Sequence, residues 1–282
     1  MLRARLFAVA ALALTLSACD AVDTASLSDD DLADAATAVA NAVALDAGGV
    51  LEDAAAGAAL AASADGNARH GDRPGCRAER TYDEAAGLWT AVADCERGDP
   101  DGAFYASFER TSTYRFLDAA GQPQPSREGA ATIEQAVLSG ASLMRSPRGT
   151  HALLSLASAL TISDLEADLV TVNGTVQRAA TDTLRGRRGE RTLAYELDAT
   201  LSDVRGPRAT SRHWRTAVDG TISGTLRATL TRTPADGETD TVEIDEAFTI
   251  TFPLDGAGGR VAEIVLGGRR FRADVETGAV EG

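Results

Sequence analysis

Residues 192–201 read TLAYELDATL, and this stretch decides the fold class. Its odd-numbered positions are all apolar, whereas its even-numbered positions are mostly hydroxylic or acidic. Side chains of a β-strand point alternately to opposite faces of a sheet, so a period of two predicts a strand with one buried face and one wet face. Faces of this kind are typical of antiparallel sheets.

The same alternation recurs along most of the chain after residue 100, and turn chemistry interrupts it at intervals. Residues 149–162 fit either a strand or a helix, and we favour a strand. We therefore expect a mainly β protein, an antiparallel up-and-down meander of about ten strands that forms a strongly curved sheet or a barrel. The predicted turns are Asp118–Gly121, Arg185–Gly189, Pro234–Gly237, Asp255–Gly259 and Gly267–Gly268.

Two of the three cysteines end the segment CRAERTYDEAAGLWTAVADC, residues 76–95. A four-residue loop at 84–87 would place Tyr82 opposite Trp89 and Cys76 opposite Cys95, on one face of a hairpin. Directly opposite residues of antiparallel strands are close enough for a disulfide. We predict a disulfide between Cys76 and Cys95 rather than a metal or redox pair, because the chain has no CxxC motif.

An Asp- and Ala-rich segment, residues 28–70, precedes this hairpin. Ser28 followed by three aspartates is a helix start, because the hydroxyl caps free backbone N–H groups and the carboxylates favour the positive end of the helix dipole. Gly48 and Gly49 predict its end. A second helix over residues 50–64 is weakened by Gly57. We expect the first helix to pack against the inner or open side of the sheet.

The first 20 residues carry a separate signal. Arg3 and Arg5 precede an apolar run over residues 6–16, which is too short to span a bilayer and is followed by the sequence Leu-Ser-Ala-Cys, ending at Cys19. The arrangement resembles the signal peptide and lipobox of bacterial lipoproteins. The resemblance implies cleavage before Cys19, a diacylglyceryl thioether on its sulfur and an acylated new N-terminus, a combination that anchors stably to a bilayer.

The resemblance also implies a location and a division of the chain. The protein would be anchored to the outer or inner membrane of a cell envelope, with its domain outside the cytoplasm, where disulfides persist. We divide the chain into a signal peptide at 1–18, a tether at 19–27, a helical segment at 28–70 and an antiparallel β domain at 71–282.

Composition excludes some functions. The chain has 42 acidic and 27 basic residues, a net charge of −15, and no lysine at all. An acidic surface repels phosphate backbones, so we expect no nucleic-acid partner. Catalysis through a lysine is excluded outright.

The sequence contains no recognisable reactive motif. The three histidines, His70, His151 and His213, form no metal-binding pattern, and we expect no cofactor. The best candidate ligand loop is Arg212, His213, Trp214 and Arg215, since clustered arginines on an acidic protein suit an anionic ligand. The competing interpretation is a solvated connection with Trp214 packed onto the sheet.

These observations lead to one hypothesis and two alternatives. The first is a non-enzymatic envelope lipoprotein that binds an apolar or amphiphilic ligand or acts as an envelope scaffold. The second is a protein–protein interaction module with an exposed apolar patch. The third is a hydrolase whose serine or paired carboxylates are brought together only by folding.

Overall fold

A computed structural model describes residues 27–45, 48–62, 75–186, 189–209, 211–214, 217–235, 237–252 and 261–281, without the side chains of residues 211 and 212. The helices are α1 (Asp29–Val43), α2 (Val50–Ala62) and α3 (Ser211–Trp214). The strands are β1 (Cys76–Asp83), β2 (Leu88–Gly98), β3 (Tyr105–Leu117), β4 (Pro123–Gln124), β5 (Thr132–Ser146), β6 (Gly149–Ser163), β7 (Leu169–Gly186), β8 (Gly189–Pro207), β9 (Asp219–Pro234), β10 (Asp240–Phe252), β11 (Val261–Leu266), β12 (Arg269–Asp274) and β13 (Val280–Glu281).

All thirteen strands belong to one antiparallel sheet, and apart from β4, which pairs only with β3, their order in the sheet follows the chain. The sheet is curved but does not close, so the predicted up-and-down meander is confirmed in its open form. Two strands, β4 and β13, are only two residues long, which largely explains why about ten strands were expected. The ambiguous residues 149–162 lie in β6, as predicted.

The alternation in TLAYELDATL separates the two faces of β8 as predicted. Leu193, Tyr195, Leu197, Ala199 and Leu201 are all buried on the inner face of the sheet, and the intervening residues Ala194, Glu196, Asp198 and Thr200 are exposed. The Gly267–Gly268 turn pairs Ile264 with Phe271, as expected, and both glycines have positive φ. A two-residue hairpin turn of this hand needs that conformation, which residues other than glycine adopt only at a cost.

The N-terminal helix begins where the sequence predicts. Ser28 caps α1 and exchanges hydrogen bonds with Asp31 in a capping box. Burial acts to raise the pKa of Asp31, but hydrogen bonds from Ser28 and Arg232 outweigh it and hold the pKa below its ordinary 3.8. The helix ends at Val43, before Gly48 and Gly49, and α2 follows at Val50. Residues 63–70 of the predicted helical segment lie outside the described residues.

Both long helices pack against the inner face of the sheet. α1 contacts β8, β9, β11, β12 and β13, and α2 contacts β5–β8. Their buried faces are rich in alanine, which lets the helices approach the strands closely. The approach is close at Gly57, where a Cβ atom would lie 2.8 Å from both Gln135 Oε1 and Ile162 Cδ1. None of the described helices is long and apolar enough to cross a bilayer.

The cysteine hairpin is confirmed in register and in bonding. Cys76 faces Cys95, Tyr82 faces Trp89, and the two sulfurs form a disulfide. No residue of β1 or β2 is fully buried, because this edge of the sheet extends beyond the helices. The guanidinium of Arg80 lies 5.2 Å from the ring centroids of both Trp89 and Tyr114, which adds a cation–π contact to this exposed edge.

Removing the disulfide should destabilise this edge rather than the whole sheet. In Cys76→Ser/Cys95→Ser we expect the amides of β1 and β2 to lose up to about 3 kcal/mol of hydrogen-exchange protection, the value for a loop of this length. The central strands β6–β9 should keep theirs, since the edge hairpin can open locally. Hydrogen exchange followed by mass spectrometry measures both. An equal loss in β6–β9 would show that the hairpin unfolds only with the rest of the domain.

Candidate functional site

The helices leave part of the inner face of the sheet uncovered. At the end of the strands nearest the β2–β3, β5–β6 and β7–β8 turns, a cleft of about 820 Å³ opens between α1 and the sheet. We call it the inner cleft. Its helical wall consists of Asp34, Thr37, Ala38 and Asn41, which lie on one side of α1.

A single row of paired residues forms the floor of the inner cleft. Each member faces the next directly across neighbouring strands, so the row runs across the sheet at one level and all its side chains point inward. We call it the floor row. It comprises Arg97, Ala106, Met144, His151, Asp182, Leu193 and Leu230, from strands β2, β3 and β5–β9.

The cleft gathers exposed apolar side chains. Seven large apolar residues are exposed in the described part of the chain, and three of them line this cleft. They are Phe104, Met144 and Leu184, with exposures of 69%, 53% and 51%. Such side chains scattered singly need no explanation, but a cluster of them in a concave site indicates binding.

Another hollow, of about 1300 Å³, lies on the outer face of the sheet. Many of its lining side chains are charged or hydroxylic, and several already pair across strands, as Arg227 does with Asp245 and Thr229 with Glu243. Because several of its polar groups already pair with one another and no cluster of exposed large apolar side chains is found among its described lining residues, we take the inner cleft as the candidate site.

A partly buried polar cluster includes the two residues at the centre of the floor row, His151 and Asp182. His151 Nδ1 lies 2.5 Å from Asp182 Oδ1, and His151 Nε2 lies 3.1 Å from a terminal nitrogen of Arg178. Arginine has only donors, so Nε2 must accept, and the ring proton is therefore assigned to Nδ1, facing Asp182. Arg178 also donates to the backbone oxygens of Ala42 and Gly48.

Arg178 thereby connects the sheet to the C-terminal end of α1. The last turn of α1 contains no basic residue of its own, and Arg178, only 3% exposed, supplies a cation to the negative end of the helix dipole. The neighbouring Tyr195 is also buried. Burial, together with the charge of Asp182, raises the pKa of its hydroxyl to about 12, so it stays protonated.

This arrangement suits binding better than catalysis. In a nucleophilic triad the histidine nitrogen that does not face the carboxylate must be free to take a proton from a serine or cysteine. Here that nitrogen, Nε2 of His151, already accepts a hydrogen bond from Arg178. Among the described residues, no group of three or more His, Cys, Asp or Glu side chains is placed to hold a metal ion.

The rim of the cleft is positively charged in places. Arg191 forms an ion pair with Asp34, and Arg145 donates to the backbone oxygen of Pro100. Arg97 and Arg148 have exposed side chains that make no ion pair or hydrogen bond with any other described residue.

The site residues expected from the sequence lie elsewhere. Trp214 is fully buried, and its indole covers Gly206 at the end of β8 opposite the inner cleft, with Nε1 donating to the Pro207 oxygen. His213 is exposed. The side chain of Arg212 and the whole of Arg215 lie outside the described residues, as does Cys19, so the ligand loop and the lipidation site stay predictions.

Sequence reasoning missed the inner cleft. Asp182 is an ionisable residue at a position where the alternation of β7 places an inward side chain, and that is a usable signal. His151 turns inward only because of the irregularity of β6 between Leu153 and Ser155, which simple alternation does not reveal. No protein-family model matches the chain, and neither does any curated protein or solved structure.

Proposed function

We propose that this protein is a non-enzymatic binding protein of the cell envelope that holds an apolar or amphiphilic ligand in the inner cleft. The observation that supports it most is the clustering of Phe104, Met144 and Leu184 around a cleft of about 820 Å³. Ligand pockets are typically about 300–1,000 Å³, mostly apolar, with a few placed polar groups. His151 and Asp182, which line the cleft, supply such groups.

The depth of the cleft also supports this function. Leu193 and Leu230 are buried beneath α1 but line the cleft, so an apolar chain entering between Met144 and α1 meets further apolar surface. Each methylene group that leaves water contributes about 0.8 kcal/mol, which makes a chain the most favourable occupant. The envelope location in this proposal depends on the lipobox resemblance at Cys19.

The test uses an uncharged fluorescent apolar probe, N-phenyl-1-naphthylamine, and the purified chain carrying Cys19→Ser, so that no acyl anchor competes for the probe, in detergent-free buffer. We expect the probe to bind, and Met144→Asp, which places a carboxylate in the middle of the floor row, to weaken binding by about tenfold or more. Leu138→Asp is the matched control. Leu138 lies on the same strand, is 60% exposed, and does not line the cleft.

Both variants change an exposed residue, so both should fold, and circular dichroism checks this. If the Cys19→Ser chain itself fails to bind the probe, or if the two variants weaken binding equally, the inner cleft is not an apolar ligand site. That result would instead favour the envelope scaffold or the protein–protein interaction module.

A further inference from the structure

Two arginines of the inner cleft, whose side chains have no partner among the described residues, bear on the head group of its ligand. The protein has 42 acidic residues, so acidic partners for arginine are abundant. Several arginines elsewhere have found them, including Arg127 with Glu166 and Arg185 with Glu190. Arg97 and Arg148 have no such partner among the described residues, although both line an apolar cleft.

The acidic groups in the cleft already have partners. Asp34 pairs with Arg191 and Arg232, and Asp182 accepts a hydrogen bond from His151, whose other ring nitrogen binds the cationic Arg178. An incoming anion therefore meets two arginines with free donors, and each carboxylate of the cleft has an arginine in its own hydrogen-bond network. A guanidinium binds a carboxylate or phosphate through paired N–H donors, which is the strongest form of hydrogen bond available at this site.

The positions of the two arginines fit a ligand with a head and a chain. Arg97 is the first member of the floor row, at the β2 end, and Arg148 lies in the turn between β5 and β6. Both lie on the open side of the cleft, whereas Leu193 and Leu230 lie on the side covered by α1. A head group held at the rim would direct an apolar chain along the floor row past Met144.

We propose that the ligand is a single-chain amphiphile with an acidic head group, such as a free fatty acid, bound at its head by Arg97 and Arg148. The proposal rests on the proposed function, since it assigns a chemical class to the ligand of the same cleft. A cleft of about 820 Å³ lies within the range for one small ligand and suits one chain rather than two.

The test compares three ligands with the same dodecyl chain and different heads: laurate, the uncharged dodecyl maltoside and dodecyltrimethylammonium. The binding of each ligand is measured by displacement of the uncharged probe from the same Cys19→Ser chain, below the micelle concentration of the ligand. We expect laurate to bind tightest, and Arg97→Gln/Arg148→Gln to weaken laurate by about tenfold while changing the maltoside less than about twofold. Arg77→Gln, an exposed arginine on the outer face of β1, is the control and should change neither.

A salt series on the Cys19→Ser chain gives a second readout that needs no further variant. Between 50 mM and 500 mM NaCl, laurate binding should weaken by at least about threefold and maltoside binding should not.

If the maltoside binds as well as laurate, or if the double variant and salt leave laurate binding unchanged, the assignment of an acidic head group is wrong while the apolar cleft stands as a ligand site. If no dodecyl ligand and no probe binds, the proposed function fails with it. Binding to phosphatidylglycerol vesicles without binding of laurate would overturn the single-chain assignment.

Discussion

Gly57→Leu is expected to destabilise the protein by about 3 kcal/mol or more, although leucine is a far better helix former than glycine. Helix propensity alone predicts a gain of about 0.8 kcal/mol at this position in α2. Packing decides the opposite sign, because a Cβ atom at Gly57 would already lie 2.8 Å from Gln135 and Ile162 on the sheet. A leucine adds three more carbon atoms in the same direction.

The cost is increased by a buried ion pair on the same face of the helix. Asp53, one turn before Gly57, is fully buried and pairs with Arg110, and its backbone oxygen accepts from Gln135. Burial raises the pKa of Asp53, while the Arg110 guanidinium counteracts this. Moving α2 away from the sheet would separate the two charges, and breaking a buried pair costs about 3–5 kcal/mol.

Thermal and urea unfolding, followed by circular dichroism, measure the effect. Ala62→Leu is the matched control, since Ala62 is exposed at the end of α2 and the added side chain meets solvent. We expect that variant to lie within about 0.5 kcal/mol of the wild type. A Gly57→Leu protein as stable as the wild type, or more stable, would mean that α2 does not pack against β5 and β6 as described.

The second large effect is expected at Arg178. Arg178→Met keeps much of the side-chain length but removes the donors to Ala42, Gly48 and His151. The backbone oxygen of Ala42 at the end of α1, that of Gly48 just before α2, and His151 all lose a buried partner. We expect a loss of about 3–5 kcal/mol in the free energy of unfolding. Binding of the uncharged probe should weaken as well, because α1 is a wall of the inner cleft.

Arg227→Met is the control for this substitution. Arg227 lies on the outer face of β9 and is largely exposed. Its Nε lies 3.7 Å from Asp245 Oδ2, and an exposed ion pair of this kind contributes about 0–1 kcal/mol. Urea unfolding of both variants compares a buried arginine with an exposed one. A loss below about 1 kcal/mol in Arg178→Met would show that water replaces its contacts and that α1 is held by apolar packing alone.

Local patterns in the sequence were enough for the strands, the Gly267–Gly268 turn and the cysteine hairpin, whereas the predicted turn at Asp255–Gly259 lies outside the described residues. Within a hairpin, one turn sets every pair, so placing the loop at 84–87 was sufficient to bring Cys76 opposite Cys95. In the same way, the alternation at 192–201 assigned the buried face of β8 without knowledge of its neighbours. The start of α1 at Ser28 is equally local, because a cap depends only on the first helical turn.

The inner cleft depends on relations that no local pattern contains. His151 meets Asp182 only because a register shift between Leu153 and Ser155 offsets β6 against β7. A shift of one residue places the side chains of β6 beyond it on the opposite face from the one that simple alternation predicts. Gly57 was interpreted as a weakness of α2, whereas the structure uses it for close contact with the sheet.

The sequence by itself therefore determined the class of fold, the order of its strands and the disulfide, since each follows from residues within one strand, turn or hairpin. Only the tertiary structure decided that the sheet stays open, that α1 and α2 cover most of its inner face, and that a cleft remains with His151, Asp182 and two arginines whose side chains have no partner among the described residues. The physical reason is that curvature and helix docking depend on contacts between distant segments, such as Arg178 with Ala42 and Gly57 with Ile162, whose geometry accumulates over many strands.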